Sequence, residues 1–568
     1  MKSPGRPALR VAHHDGMTAR PGPARPDDTA VLIAGGGPAG LAAAAELAWH
    51  GIGCVVIEPR PQVSHRRPRA KTTSVRTMEH LRRWGVAGQL RAAAPLPVAW
   101  SQRVTFCTSL AGRRITDFEG AFGLVTESDD RFAEAGQQVP QPVVEEVLRA
   151  HLDGRPEADV RLGHAVTALA QDSAGVTVTV TGPDGTAGTV RARYVLGCDG
   201  AAGVVRDQIG ARYAGQSDPR PNFNLVFRAP GLDTALGPAV QYWVVGGATA
   251  GLVGRLDLAG TWWAGLPGIE AAYGEAHASE LITGLLGAPA EHQVLASDPW
   301  TARMLVADAF ADRRVFLVGE SAHVNPPWGG HGFNTSVGDA VNIAWKIAAV
   351  EHGWAGPGLL ASYDPERRGV VEQTVASAAS HLSHLAGDLP ADADAIQRAK
   401  RPEFHSLGLV LGYSYAGSPA IQPGAAPAPG DLSCFTPAAE PGARLPHAWL
   451  GDGSSLYDHL GRGLTLLGPV ADQAPGVADL AARAAARGIP LALAQPPPGY
   501  PWAAEFLLVR PDQHIAWRTS DPSGIDLDVV TGRERRPPRR PDSRQNGEAP
   551  CPARITAQRP ARPAAGLP

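Results

Sequence analysis

Short, uninterrupted apolar runs alternate along this chain with Ala-rich stretches whose apolar positions recur at helical spacing. Residues 31–34 (VLIA) and 54–57 (CVVI) are apolar throughout, as strands buried on both faces of a parallel sheet should be. Between them lie a GGGPAG turn at residues 35–40 and an Ala-rich helical stretch over residues 41–50. Strand, glycine turn, helix and strand make a complete βαβ unit. Two later runs, residues 194–196 and 315–318, each lead into a glycine and an acid, Gly197-Cys198-Asp199-Gly200 and Gly319-Glu320. Parallel sheets hold their ligands at the carboxyl ends of their strands, so these acids are candidates for a site. After Glu320 come a stiff Pro326-Pro327 turn, the glycines Gly329, Gly330 and Gly332, and a helix with Val341, Ala344, Trp345 and Ala348 on one face. Gly353 is placed to stop it.

Other patterns fill the intervals. Val75, Met78 and Leu81 predict a helix ending near Gly85, and Gln141-Pro142 opens another. Residues 176–180 alternate Val and Thr as a half-exposed strand does. Residues 95–131 turn β-like, and residues 212–300 read as strands rich in large rings: Phe223, Phe227, Tyr242, Trp243, Trp262 and Trp263. Most of these rings are expected in a core, with a minority lining a pocket for a bulky aromatic ligand. Near the end, a strand (464–467), helix (477–487), strand (491–494) and hairpin (506–517) form a small α/β unit. The organisation expected is a disordered arm (1–28), a nucleotide-binding domain in two parts (29–210 and 301–417, with 95–131 contributing to another layer), and a β-sheet domain (211–300). A Pro/Ala/Gly linker (418–430), the α/β unit (431–520) and a tail too poor in apolar residues to fold (521–568) complete it.

Composition narrows the classes. A net charge of -3 with both signs plentiful favours neither nucleic acid nor membrane as a partner. The 5 cysteines show no CxxC or His-rich spacing, which argues against structural zinc and fits a reducing cytoplasm. The chain lacks a signal-peptide pattern and any apolar run of the ~20 residues a membrane helix needs.

The chemistry read from the residues is nucleotide binding. Gly35 turns the chain, Gly37 lets a pyrophosphate approach the backbone, Gly40 lets helix and strand pack closely, and Glu58 is placed to accept from ribose hydroxyls. Arg66-Arg67-Pro68-Arg69-Ala70-Lys71 is either a solvated face or a holder of phosphates. The helix start after Gly332 directs free N–H groups and a positive dipole end into a cavity, which suits a ligand that is anionic or becomes so. No residue stands out as a general base. His323 is expected to be structural and bonded to backbone.

In order, GGGPAG, RAKTTSVRTME, GCDG and VGESAHVNPPWGGHGFN make residues 30–518 resemble the group A flavoprotein aromatic monooxygenases, typified by para-hydroxybenzoate hydroxylase and phenol hydroxylase. Within them the chain is most similar to the bacterial aromatic-polyketide hydroxylases. The resemblance implies an α/β fold with a Rossmann-like FAD domain, an interleaved β-sheet substrate domain and a thioredoxin-like C-terminal domain. It implies FAD as cofactor and NADPH or NADH as co-substrate, with O₂ captured as a flavin C4a-hydroperoxide and transferred to a multi-ring phenol or quinone. By the same resemblance Arg69 sits beside the FAD phosphates and ribityl chain, Gln141 touches the flavin side chain, and Glu320 meets the ribityl hydroxyls. Gly332 belongs to the loop before the flavin, Phe333 and Asn334 offer N–H groups to the flavin pyrimidine, and Asp199 and Gly200 form a motif facing FAD and NAD(P)H. Two positions depart from the family: Glu320 replaces Asp, and Gly203 stands where many relatives have Ser. The C-terminal unit lacks a redox CxxC, so its expected role is packing or homodimer formation. The rival readings are Baeyer–Villiger oxygen insertion, a flavin halogenase (disfavoured because Trp262-Trp263-Ala264-Gly265-Leu266-Pro267 misses the WxWxIP pattern), and a flavin-binding protein without turnover.

Overall fold

The structure, a computed structural model, describes residues 28–65, 71–232, 236–426, 430–469 and 475–533. The 1–27 arm, the 534–568 part of the tail and most of the basic run, Arg69 included, lie outside the described residues.

Among the described residues three sheets of four or more strands organise the fold. In the first, Val315–Leu317, Ala187–Gly197, Asp28–Ala34, Cys54–Glu58 and Ala158–Leu162 run parallel in that order. The predicted apolar runs are its centre, and Val31, Leu32, Ile33, Val195 and Leu196 are wholly buried. Register matters for function: Ala34 pairs with both Gly197 and Ile57, and Gly197 pairs with Leu317. Three strand ends therefore stop level with one another, setting Gly35, Glu58 and Cys198 along one rim. Helix Pro38–Trp49 covers one face and packs on helix His331–Glu351, whose predicted face, Val341, Ala344, Trp345 and Ala348, is buried. Gly353 follows its end at φ +76°, the left-handed stop expected there.

The second sheet has eight strands, in order His323–Val324, Gln293–Ala307, Tyr213–Arg228, Thr261–Pro267, Gly251–Arg255, Gln241–Val244, Arg103–Cys107 and Arg114–Glu119. The last two come from the 95–131 excursion, as the sequence implied. Along Tyr213–Arg228, Phe223, Leu225 and Phe227 enter a core while Asn222, Asn224 and Val226 face a cavity, a consequence of the two-residue period of a strand.

The third sheet, Leu491–Ala494, Leu464–Leu467, Phe506–Val509 and Ile515–Thr519, carries helix Pro475–Ala486 and is the expected small α/β unit. Its contact with the first domain combines an apolar cluster, in which Trp345 and Leu359 meet Leu464 and Leu480, with buried charges. Arg510 donates from both terminal nitrogens to Glu366 at 2.7 and 2.8 Å, Lys346 reaches the same carboxylate at 2.7 Å, and Trp345 Nε1 donates to Asp512 Oδ2 at 3.1 Å.

Two boundaries differ from expectation. Residues 521–533 were assigned to the unfolded tail, yet Ile525, Leu527 and Val530 are buried with Leu359 and Leu480. Thr531 and Gly532 carbonyls accept from Gly356 and Gly358. Three apolar side chains suffice there because a neighbouring domain supplies the other half of the core. The supposed linker is likewise pinned through Gln422: Ala420 and Ile421 are buried and the Gln422 N–H donates to the Ala516 carbonyl. Residues 427–429 lie outside the described residues. Among the described residues no helix is long and apolar enough to cross a membrane.

Candidate functional site

The glycine turn is shaped by what surrounds it. Gly35 sits at φ +104° and donates to Ile57 O at 2.8 Å; a Cβ on it would come within 2.3 Å of the Cys198 carbonyl oxygen. A Cβ on Gly40 would meet Gly35 O at 1.9 Å, so this glycine serves helix-to-strand packing as expected. Gly37 is open, with Arg60 Nη2 at 4.0 Å from a notional Cβ, leaving space for a ligand to approach the backbone. Gly36, not singled out from sequence, donates its N–H to Glu58 Oε2 at 2.7 Å.

Glu58 is buried at its strand end. Burial alone would raise its pKa, but Arg60, bonding through Nε at 2.7 Å and N–H at 2.8 Å, and the Gly36 N–H hold it below the usual carboxylate range. Arg60 also reaches Glu145 at 3.2 Å, and Glu145 accepts from Gln141 at 2.9 Å. Gln141 and Glu58 thus line one cavity, joined through residues the sequence reading missed.

Asp199 is engaged by the protein itself. Its Oδ1 accepts from Ser321 Oγ at 2.8 Å and its Oδ2 from Val205 N–H at 2.9 Å, at the start of the short helix Val204–Gln208. Gly200 N–H donates to Ser321 Oγ at 3.0 Å. The Gly203 departure has a steric basis: a Cβ there would lie 2.0 Å from Asp199 Cγ. Arg206 donates to Ala201 O at 2.9 Å and its guanidinium carbon stands 4.0 Å from the Tyr213 ring centroid. Tyr213 in turn hydrogen-bonds the Glu320 carbonyl. Glu320 itself is exposed and lines the cavity.

Gly329 and Gly330, both at positive φ, turn the chain into helix His331–Glu351, and Gly332 and Phe333 line the cavity at its start. The Asn334 side chain has a second task beside the N–H expected of its backbone. Asn334 is not among the cavity-lining residues, and its side chain clamps the helix to residues 72–77, accepting from Ser74 N–H at 2.9 Å and Thr77 Oγ1 at 2.8 Å while donating to Gly330 O at 2.7 Å. His323 is held by side chains rather than backbone: Nε2 lies 2.8 Å from Asp339 Oδ2 and Nδ1 2.7 Å from Asn325 Oδ1. Asp339 also takes Arg367 at 2.7 Å, and although burial opposes ionisation, Arg367 and His323 keep its pKa below the ordinary value.

The rim opens into a cavity of about 1340 Å³ running from Gly35, Glu58 and Glu320 to the inner face of the second sheet. Of the six rings singled out, Trp263 lines it; the other five are core. Trp300 and Trp328, missed because nothing in their local pattern marks them, line it too, with centroids 5.9 Å apart. Lys71, the last cation of the basic run, is half-buried in the wall with Nζ 4.2 Å from the Trp263 ring centroid, and desolvation pulls its pKa down to about 8.

Residues 28–378 match the family described as FAD binding domain, and residues 438–533 match that described as aromatic-ring hydroxylase, C-terminal. The chain is 31% identical over 576 residues to 2,4-dichlorophenol 6-monooxygenase of Delftia acidovorans, covering 86% of this chain and 95% of the relative. It is 30% identical over 531 residues to a putative polyketide hydroxylase of Streptomyces halstedii, covering 87% and 93%. The solved ternary complex of aklavinone-11 hydroxylase with FAD and aklavinone superposes with a TM-score of 0.79 at 28% identity, over 89% of this chain and 99% of that one.

Proposed function

The chain belongs to the FAD-dependent aromatic-ring hydroxylases, and on that footing we propose that it hydroxylates a multi-ring phenol or quinone at the expense of O₂ and NAD(P)H. The observation that carries this reading is one continuous cavity joining the glycine cradle to a ring-bearing sheet. At about 1340 Å³ it exceeds the roughly 300–1,000 Å³ of an ordinary ligand pocket, as a site for a dinucleotide and a second aromatic molecule should.

The residues present fit FAD. A turn at Gly35 and Gly40 that no side chain could enter, an open Gly37 and a helix start beside it suit a pyrophosphate. Glu58 would take the adenosine ribose, Gln141 the flavin side chain, exposed Glu320 the ribityl hydroxyls, and Gly332 and Phe333 the flavin ring edge. Asp199 would shape the wall with Gly200, its oxygens held by Ser321 Oγ and the Val205 N–H. Bound FAD supplies the redox chemistry, accepting hydride from NAD(P)H and passing one atom of O₂ to the ring. The protein orients the ring, and Trp263, Trp300 and Trp328 keep water from it. The role supported for the C-terminal unit is packing, through Arg510, Glu366 and Lys346.

The test is direct. Purified protein should be yellow, and NADPH consumption should rise more with multi-ring than with single-ring phenols, giving a product one oxygen atom heavier. A lactone or ester product would assign Baeyer–Villiger insertion instead, and folded protein that refuses FAD would overturn the proposal.

A further inference from the structure

Among the acids lining the cavity, Glu58, Glu145 and Asp199 cluster by the glycine turn and are bonded there by Arg60, Gln141, Ser321 and backbone N–H groups. Glu403 is different. It comes from helix Ala393–Phe404, which is tied to the edge of the ring-bearing sheet by Gln397 donating to Asp117 O at 2.8 Å. Glu403 is 2% exposed and lines the cavity. Its Oε2 accepts from Lys400 Nζ at 2.6 Å; no described residue hydrogen-bonds Oε1. The surroundings are aromatic. Lys400, wholly buried, stands 4.0 Å over the Trp243 ring, and the neighbouring Phe404 packs on Phe118 and Trp243. Burial pulls the Lys400 pKa down, against the attraction of Glu403.

A charged pair in such a place is costly, and apolar residues of the same volume would serve packing as well or better. An ionised carboxylate is an acceptor only, so an oxygen left without a partner calls for a donor from the ligand. We propose that Glu403 is a specificity-determining residue: it accepts a hydrogen bond from a hydroxyl of the aromatic substrate and rejects aryl carboxylates. The assignment rests on the hydroxylase reading and narrows its substrate to neutral, hydroxylated rings.

The experiment uses the full chain loaded with FAD at pH 7, following the visible flavin spectrum during titration with 2-naphthol, naphthalene and 2-naphthoate. Wild-type protein should bind in that order, with naphthol preferred to naphthoate by about tenfold or more. A paired variant, Lys400→Met with Glu403→Leu, keeps volume and removes both charges; it should retain flavin and bind the three probes within about threefold of one another. Glu403→Gln should improve naphthoate relative to naphthol. Wild-type protein that holds FAD but binds the three equally, or binds none, overturns the role of Glu403 alone, as does a paired variant that keeps the wild-type preference. Failure of wild-type protein to hold FAD defeats the hydroxylase reading itself.

Discussion

Two strand ends that read alike in the sequence, a glycine followed by an acid, do opposite things in the structure. Asp199, after Ala187–Gly197, has both carboxylate oxygens bonded within the protein, one by Ser321 and one by Val205 N–H. Glu320, after Val315–Leu317, is exposed at the same rim with its backbone carbonyl, not its carboxylate, held by Tyr213. The lesson is that a glycine and an acid at a strand end do not by themselves say whether the carboxylate faces the protein or the cavity; residues distant in the chain decide it. Here the Ser beside Glu320 is what occupies Asp199.

That contrast can be broken in graded ways. The largest effect is expected for Gly203→Ala, whose Cβ must push Asp199 off both partners; overpacking of this kind costs about 1–3 kcal/mol, read as a lower denaturant midpoint with loss of bound flavin. Unchanged stability would mean that Asp199 is not held as described. Asp199→Ala should cost about 1–2 kcal/mol through the acceptor lost to the Val205 N–H and Ser321 Oγ, and adding Ser321→Ala should cost less than the sum of the two. Glu320→Ala should do the reverse, changing stability by no more than about 0.5 kcal/mol, as exposed substitutions do, while FAD dissociates more readily by fluorescence of the released flavin. Equal loss of stability in Asp199→Ala and Glu320→Ala would erase the distinction. The smallest effect is in pH. Glu58 titrates below its ordinary range when folded, so its contribution is intact above the unfolded value of about 4.3 and drains away as pH falls through the folded one. Glu58→Gln should flatten the stability profile on that acidic side, and a profile that keeps its wild-type shape would count against the bonds drawn to Glu58.

The sequence made the nucleotide cradle legible because its rules are local: a glycine with no room for Cβ, an apolar run, an acid at the strand end. Gly35, Gly40, Glu58 and the stop at Gly353 sit where those rules put them. The C-terminal strands were equally plain from their periodicity. What stayed hidden depends on residues far apart in the chain meeting. Arg60 with Glu145, Ser321 with Asp199, Trp300 with Trp328 and Glu403 in the cavity wall carry no mark in their own neighbourhoods. The clamp made by Asn334 was missed for the same reason, since its partners lie some 260 positions away in residues 72–77. The fold of residues 521–533 was missed because three apolar side chains look too few until the surface receiving them is known.

The charges buried between the third sheet and the flavin-bearing domain limit how this enzyme can be recombined. A chimaera that took its C-terminal unit from another hydroxylase without an equivalent of Arg510 would take two charge-assisted hydrogen bonds from Glu366 in a dry interior and leave it Lys346 as its ion pair, at about 1.5–3 kcal/mol for each bond lost. The halves can be exchanged only as co-adapted cassettes, with both sides of that junction travelling together.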